Sequence, residues 1–417
     1  MSEARPARLF HAWPRGNGAA RSMLLVTMIM VAYGTVAVAS ASEGQAAANG
    51  GSSWSIAIHD LVYLGFGLIA MYVAARLRLD WVIRRAPLAM IGGLLLLLAV
   101  KAIGVSANGG KRWLNLHVIF LQPSELFKLV TILYIAWLIE HHHDELGDWR
   151  PLLLWTLPVL AGAALIVIEP DIGTSSVVVA IAIAMLAVAG LSRQLLVRIV
   201  GLGILSFGAF MILKPYSARR FLSFLHPNQN LQGSGYQLLQ SKIGLGAGGL
   251  TGLGLGHSRE KWGLLPNPHT DFIFTIIGEE LGFIGTLAIV GLFIWFLFSA
   301  TKIAQSSANS TYRLVAIGIT AWIMLEAVIN IASVVGAWAV TGVPLPFFSY
   351  GGTALISELF AIGLLYNIGH DVSESRDQTI RRREILPTRD EWLGSTRVPR
   401  SPARYADPRA RTSHGRQ

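Results

Sequence analysis

The sequence contains no cysteine and few charged residues. The missing thiols exclude disulfides, iron–sulfur clusters and thiolate zinc sites. Asp, Glu, Lys and Arg together make up 14% of the 417 residues, whereas soluble domains carry about 25%. Hydrophobic residues account for 53% of the chain and its mean hydropathy is +0.52. This balance predicts a polytopic membrane protein.

A net charge of +10 first suggests a nucleic-acid partner. Much of that charge, however, lies after Asp371, in a segment with "RRREILPTRDEW" and scattered proline. Clustered arginine beside a membrane span is typical of a cytoplasmic, lipid-facing segment. Basic patches interleaved with aromatic residues are absent, so we predict no nucleic-acid partner.

Ten apolar stretches are long enough to cross a bilayer, which takes about 20 residues each. We predict an all-α fold with about ten transmembrane helices, both termini cytoplasmic and a large extracytoplasmic loop, 214–270, between helices 7 and 8. A cytoplasmic N-terminal segment, 1–21, precedes a membrane domain over 22–370, and 371–417 is a disordered basic cytoplasmic tail. The predicted spans are 22–41, 56–76, 87–105, 124–140, 152–168, 174–191, 195–213, 271–299, 314–337 and 350–369.

Two loops on the predicted outer face carry basic residues against the positive-inside rule. Outer cations of this kind are candidates for binding an anionic ligand. They are Lys111 and Arg112 in the first loop, and Lys214, Arg219, Arg220, Lys242, Arg259 and Lys261 in the long one. The run "AVASAS" after the first span resembles a signal-peptide cleavage site, but that span is long enough to be retained.

Glu125 and Lys128 lie three residues apart at the start of the fourth span, beside "KRW" at 111–113. That spacing puts them on one helix face. An ion pair within the helix would account for Glu125 and Lys128 without any functional role. The neighbouring Lys111, Arg112 and Trp113 suggest an anion-binding site instead.

The short outer turn "EPDIGTSS", 169–176, contains two carboxylates and no cation. Such a turn suits a metal ion or a partner arginine. Asp171 is equally suited to capping the sixth membrane helix.

The run "LPNPHTDFIFTIIGEELGFIGT" places Asp271 near the start of the eighth membrane helix and two acids inside it. A carboxylate in a membrane helix costs about 2.5–3.5 kcal/mol even on the lenient insertion scale. We expect the helix to begin near Thr270, with Asp271 in its first turn at the water boundary. Glu279 and Glu280 lie about 12 Å deeper, where an ion pair with another span, such as Lys128, would compensate them.

A rigid outer turn, "TGVPLPFFSYGGT", is predicted to close over the bundle, with Ser349, Tyr350 and Thr353 as hydrogen-bond donors. Glu326 and Asn330, four residues apart, add polarity to the ninth span. The glycine-rich run "GLGAGGLTGLGLG" lacks the strand–loop–helix context of a dinucleotide fold.

Five ordered stretches resemble the SEDS family (shape, elongation, division and sporulation), the polytopic peptidoglycan glycosyltransferases. They are "NGGKRWLNL…LQPSELFKL", "EPDIGTS", "GSGYQLLQSKIGLGAGGLTGLGLG", "LPNPHTDFIFTIIGEELGFIG" and "LPFFSYGGT", and they cover Gly104 to Gly369. "GLGLGHSREKWGLLPNPHTDFIF" is more similar to the division-type branch, FtsW, than to the elongation-type branch, RodA.

The resemblance implies polymerisation of lipid II into glycan strands outside the cytoplasmic membrane, at the division septum, with undecaprenyl pyrophosphate as the leaving group. It implies Asp271 as the catalytic carboxylate and a class B penicillin-binding protein, nascent glycan and other divisome membrane proteins as partners. A divalent cation, Mg²⁺ or Mn²⁺, is the one cofactor considered, and its ligands stay open. The expected substrate-binding residues are Lys111, Arg112, Trp113, Gln122, Glu125, Lys128, Asp171, Arg219, Arg220, Gln237, Lys242, His269, Thr270, Glu279, Glu280, Ser349 and Thr353.

Two other functions fit the same features. A lipid II flippase would also use buried charges in ten spans, although these charges gather on the predicted outer side and the cytoplasmic half has no matching acidic or basic ring. An elongation-type polymerase would differ in where it acts, at the side wall instead of the septum.

Overall fold

The computed structural model describes residues 17–48, 55–107, 110–116, 119–213, 224 and 233–385. Arg219 and Arg220, most of the segment 214–232 and the tail from 386 onward lie outside the described residues, as does 1–16. The chain divides into two compact units, Met1–Ser373 and Glu374–Gln417. The helix bundle described below belongs to the first unit.

The described residues form twelve α-helices and one small antiparallel sheet. The helices in chain order are α1 (Gly18–Ala48), α2 (Ser55–Arg76), α3 (Leu79–Arg84), α4 (Ala86–Ile103), α5 (Pro123–His142), α6 (Trp149–Ile168), α7 (Ile172–Val188), α8 (Arg193–Leu213), α9 (Ser234–Gly248), α10 (Ile273–Ser306), α11 (Ser310–Val335) and α12 (Gly352–Ile385). Short 3₁₀ turns follow α5 at His143–Gly147 and precede α10 at Glu260–Trp262.

Local sequence explains several helix ends. Pro123 opens α5, where the missing N–H would be unpaired in any case. Asn309 caps α11 by accepting hydrogen bonds from the N–H groups of Thr311 and Tyr312. α11 ends at Gly336, which adopts the left-handed conformation usual for a helix C-cap.

Eight of the described helices are long and apolar enough to cross a membrane. They are α1, α2, α4, α6, α8, α10, α11 and the first part of α12. Helix α7 is apolar but only 17 residues long, and α5 carries Glu125, Lys128 and Glu140 within its 20 residues. The chain is therefore a multi-pass membrane protein, and the count of ten spans stays a prediction.

The core lies where α11 packs against α5, α7 and α10, and buried residues of α12 belong to the same hydrophobic cluster. Helix α1 packs along α10, and α9 lies against α10 and α11. The strands β1 (Val105–Ala107), β2 (Gly110–Asn115) and β3 (Phe120–Leu121) pair antiparallel in that order. Val105 pairs with Trp113, and Leu114 pairs with Leu121.

One end of the bundle carries the sheet, the 169–171 turn, the turn before α10 and the segment 336–351. We call it the site end. These parts contact one another: Thr353 Oγ1 donates to the carbonyl of Phe120 and accepts from the N–H of Gln122. The site end is therefore one continuous surface.

Candidate active site

Asp271 lies in a turn and not in a helix. Helix α10 begins at Ile273, so the expectation that Asp271 sits in the first helical turn is wrong. Phe272 has a non-helical backbone and precedes the helix. Asp271 itself is partly buried at the site end, immediately before a stretch, Phe272–Glu280, in which every residue is buried.

The segment 336–351 covers this turn. Gly342 has a φ of +77°, and a Cβ built there would lie 3.6 Å from Asp271 Oδ2. A residue with a side chain would therefore have a strained backbone at this position, with its Cβ in van der Waals contact with the carboxylate. Glu358 of α12 accepts a 2.9 Å hydrogen bond from the N–H of Phe347, whose φ is +64°. The strained segment is thus tied to a fully buried acid.

Glu279 does not pair with Lys128 as the sequence suggested. Its carboxylate accepts hydrogen bonds from the 258–260 loop: from Ser258 Oγ at 2.5 Å, from the N–H of Arg259 at 2.9 Å and from the N–H of Glu260 at 3.3 Å. Glu279 therefore holds the loop that leads to Asp271. Burial, with Glu279 as a second cause, raises the pKa of Glu260 to about 7.

Glu280 also accepts a hydrogen bond from the 258–260 loop, from the N–H of Ser258 at 3.4 Å, and its carboxylate reaches α1. It accepts a 2.6 Å hydrogen bond from Ser40 and lies 3.7 Å from the ammonium of Lys261. Lys261 also forms a 2.6 Å ion pair with Glu43 and donates to the carbonyl of Gly256 at 2.8 Å. The two adjacent acids are thus compensated by loop groups and by Lys261.

Helix α10 is interrupted at Gly282, which has φ +67° and ψ −164°. The segment 249–254 supplies the missing partners. Leu253 and Gly254 donate to the carbonyls of Glu279 and Glu280, at 2.9 Å each. Phe283 and Ile284 donate to the carbonyls of Gly249 and Leu250, at 2.9 and 3.2 Å.

Lys128 is completely buried, between two carboxylates. It forms a 2.7 Å pair with Glu125 and a second pair with Glu326 of α11. Its ammonium also lies 5.1 Å from the ring centre of Trp322. The intrahelical ion pair is confirmed, and the geometry favours a role for Lys128 in joining α5 to α11.

The 169–171 turn is held by Arg112. The guanidinium donates to the carbonyl of Glu169 at 2.9 Å and to that of Pro170 at 2.6 Å. Asp171 accepts from the N–H and hydroxyl of Thr174, at 3.0 Å each, so its predicted capping role is confirmed. Burial and the nearby Asp171 raise the pKa of the Glu169 carboxyl to about 8, while Arg112 opposes the shift.

His269 carries no charge at neutral pH, because burial lowers its pKa to about 4. Its ring lies 5.6 Å from that of Tyr350. Three of the predicted outer cations are exposed among the described residues: Lys111 on β2, Lys242 on α9 and Arg259 in the loop before α10. The ammonium of Lys242 lies beside Gly336. Trp113, Gln122 and Gln237 are half-buried, and the predicted binding role of these residues stays a prediction.

No cluster of three or more His, Asp or Glu side chains in the described residues could hold a metal ion. Asp171 uses both carboxylate oxygens in its cap. A divalent cation and its ligands stay a prediction.

Several roles escaped the sequence analysis. Glu358 is buried at 2% exposure, and an acid inside the apolar run "TALISELFAIGLL" would have revealed it. Lys261, a predicted outer cation, is buried against α1 and α10. Asn330, predicted only to add polarity to its span, donates to the carbonyls of Asp271 and Val343.

Comparison with known proteins places these features in a family. A family model described as "FTSW_RODA_SPOVE: Cell cycle protein" matches residues 20–374. The "Probable peptidoglycan glycosyltransferase FtsW" of Coxiella burnetii is 38% identical over 363 residues, covering 84% of this chain and 95% of that protein. "Stage V sporulation protein E" of Bacillus subtilis is 35% identical over 350 residues, covering 83% of this chain and 95% of that protein.

Solved structures show the same fold. A chain from the work titled "Structural coordination of polymerization and crosslinking by a peptidoglycan synthase complex" superposes with a TM-score of 0.72 at 27% identity, covering 86% of this chain and 99% of that one. The rod shape determining protein RodA of Thermus thermophilus superposes with a TM-score of 0.63 at 25% identity, covering 86% of this chain and 98% of that one. The chain belongs to the FtsW/RodA/SpoVE family of cell cycle proteins.

Proposed function

We propose that this protein is a peptidoglycan glycosyltransferase that polymerises lipid II at the outer face of the cytoplasmic membrane during cell division. The observation that carries the proposal is the placement of Asp271. Its carboxylate lies at the site end, in a turn that accepts hydrogen bonds from Asn330 of α11 and from Ser349 and Tyr350. The names of the relatives, which include a peptidoglycan glycosyltransferase FtsW, support the reaction class and the division role.

Asp271 acts as the general base in this mechanism. Glycosyl transfer with inversion forms a bond from the acceptor 4-hydroxyl to the donor sugar while the bond from that sugar to pyrophosphate breaks. A carboxylate within hydrogen-bond reach takes the hydroxyl proton as the new bond forms. His269, neutral and buried beside Tyr350, contributes shape and apolar surface rather than charge.

The departing pyrophosphate needs positive charge nearby. Arg112 already donates to two carbonyls and Lys128 is enclosed by two acids. Lys242 and Lys111 are exposed at the site end and have the right charge. Lys242 is the stronger candidate, because its ammonium lies against the segment that covers Asp271.

A transpeptidase of the class B penicillin-binding type is the proposed partner. Its support is the structural likeness to a chain of a complex described as coordinating polymerization and crosslinking. Glycan strands made at the outer face would pass directly to such an enzyme. Other division proteins are expected at the same assembly, at the septum.

Purified protein, labelled lipid II and detergent micelles test the proposal. The wild type should produce glycan chains without a sealed compartment, which a flippase would not. Asp271→Asn keeps the size of the side chain but cannot take the proton, so polymerisation should fall by about 10²–10⁴-fold. Asp144→Asn, at an exposed position in the turn after α5, is the matched control and should be fully active.

Wild-type polymerisation by Asp271→Asn would refute the assignment of the base. If the wild type makes no glycan but transfers lipid II across vesicle membranes, the flippase is favoured instead.

A further inference from the structure

Three consecutive carbonyl groups in the turn before α10 each accept a hydrogen bond from the 330–350 region. The carbonyl of His269 accepts from the N–H of Tyr350 at 2.8 Å. The carbonyl of Thr270 accepts from Ser349 Oγ at 2.6 Å. The carbonyl of Asp271 accepts from Asn330 Nδ2 at 2.9 Å. The 269–271 turn is therefore held through its backbone carbonyl groups.

Asn330 differs from the other two donors because it binds two separate segments of the chain at once. Its Nδ2 donates both to Asp271 and, at 2.8 Å, to the carbonyl of Val343. The two hydrogens of a carboxamide are fixed in one plane. A single rigid group thus sets the distance between the backbone of Asp271 and the segment that lines its carboxylate.

The orientation of this amide follows from its neighbours. Both partners are carbonyl oxygens, so only the NH₂ group can face them, and the opposite orientation would place oxygen against two acceptors. The side chain is 2% exposed and rises from the membrane helix α11, which packs against α5, α7 and α10. A donor on such an element is held more firmly than one on a loop.

We propose that Asn330 is a positioning residue for the glycosyl transfer. It holds the Asp271 turn and the 341–343 segment in register, so that the carboxylate beside Gly342 meets the acceptor hydroxyl at the reacting distance. This role rests on the proposed function, in which Asp271 is the base. Asn330 touches no substrate and acts only through the two backbone carbonyls.

Asn330→Leu tests the proposal, because leucine has the same number of non-hydrogen side-chain atoms and no donor. Misplacement by about 1 Å can cost about 10²-fold in rate, so kcat for lipid II polymerisation should fall about 10–100-fold. The KM for lipid II should stay within about twofold. Asn330→Asp, which turns both donors into acceptors facing carbonyls, should lower kcat at least as much.

Hydrogen–deuterium exchange separates positioning from general destabilisation. In Asn330→Leu, exchange should become faster in peptides covering 266–272 and 341–345 and should be unchanged in the other helices. Thr320→Val is the matched control, since it removes a side-chain hydrogen bond at a similarly buried position on the same helix, within α11 itself. Its kcat and exchange should equal those of the wild type.

Asn330→Ser keeps one donor in a smaller side chain and is measured in parallel. It should give an intermediate kcat, and it decides the question if Asn330→Leu does not accumulate as folded protein. The proposal is overturned if kcat is within about twofold of wild type in the variants that fold. It is also overturned if kcat falls together with a rise in KM and faster exchange throughout the bundle.

Asp271→Asn, assayed alongside, separates this inference from the proposed function. If Asp271→Asn polymerises lipid II normally, the base assignment fails and the positioning role fails with it. If Asp271→Asn is inactive while Asn330→Leu is normal, only the positioning role fails.

Discussion

At the scale of single residues, buried carboxyl groups at the site end differ in whether they have partners. Glu279 has three donors and Glu280 has Ser40 and Lys261. Both oxygens of Glu169 are buried without a hydrogen-bond partner. The difference has a direct consequence for how stability depends on pH.

Glu169→Gln should remove one contribution to the pH dependence of the protein's stability. The folded pKa of Glu169 is about 8, above the ordinary 4.5, so the folded state holds a proton that the unfolded state has lost. Stability is therefore lost as pH rises from about 4.5 to about 8 and then stays constant. Glutamine resembles the protonated acid, so the variant should melt at a higher temperature at pH 8, with a smaller difference at pH 5.

Thermal unfolding in detergent at several pH values checks this expectation. Glu140→Gln is the control, because Glu140 is exposed near the end of α5. Equal melting temperatures for Glu169→Gln and the wild type from pH 5 to pH 8 would contradict the argument.

The sequence predicted the residue roles that depend on near neighbours. The Asp171 cap joins residues three apart, and so does the Glu125–Lys128 pair. The second partner of Lys128 is Glu326, 198 residues away. Lys261 meets Glu43 across 218 residues. Partners at such separations depend on how helices pack, which a pattern of apolar residues does not specify.

At the scale of elements, the main surprise is the interruption of α10 within a run that reads as one continuous apolar helix. The predicted span, 271–299, gave no sign of the break at Gly282. The partner segment, 249–254, lies in the glycine-rich stretch that the sequence analysis treated as loop. Its first part is in fact helical, as α9. A hydropathy profile detects neither the interruption at Gly282 nor helix α9, because neither changes the average polarity of its stretch.

Gly252→Ala should separate the segment from α10. Gly252 has φ +82°, and a Cβ there would collide with the carbonyl of Glu280. Left-handed backbone costs about 1–2 kcal/mol for a residue with a side chain, and each lost backbone hydrogen bond about 0.5–1.5 kcal/mol. We expect a lower melting temperature and faster deuterium exchange at Phe283 and Ile284.

Gly256→Ala is the matched control for this substitution. Gly256 has a similar φ of +79° but no atom within 4 Å of a built Cβ. It should show the backbone strain without the collision. Equal losses in the two variants would mean that docking of the segment contributes nothing to stability.

At the scale of the whole molecule, Lys261 joins the beginning of the chain to the site end. Its side chain is fully buried, and it connects Glu43 of α1 with Glu280 of α10 through the loop that leads to Asp271. Ion pairs of this kind are not strongly stabilising on balance, but removing one partner leaves a buried charge behind.

Lys261→Met should therefore destabilise the protein by about 3–5 kcal/mol. Glu43→Gln is the control, because the Glu43 side chain is 43% exposed and Lys261 keeps Glu280, Ser40 and the carbonyl of Gly256 as partners. That variant should lose at most about 1 kcal/mol. Denaturation midpoints in mild detergent give the comparison, and a loss in Glu43→Gln equal to that in Lys261→Met would contradict it.

The interruption at Gly282 also determines which parts of relatives can be exchanged. Four backbone groups of α10, on residues 279, 280, 283 and 284, are satisfied by 249–254. Phe283 and Ile284 are more than half exposed on an apolar surface, where an unpaired peptide group costs several kcal/mol. A chimaera joined anywhere between residues 254 and 279 would take the 249–254 segment from one relative and α10 from another. The backbone groups that must pair would then come from two different proteins. The smallest module that can be transplanted intact runs from the glycine-rich segment through the end of α10.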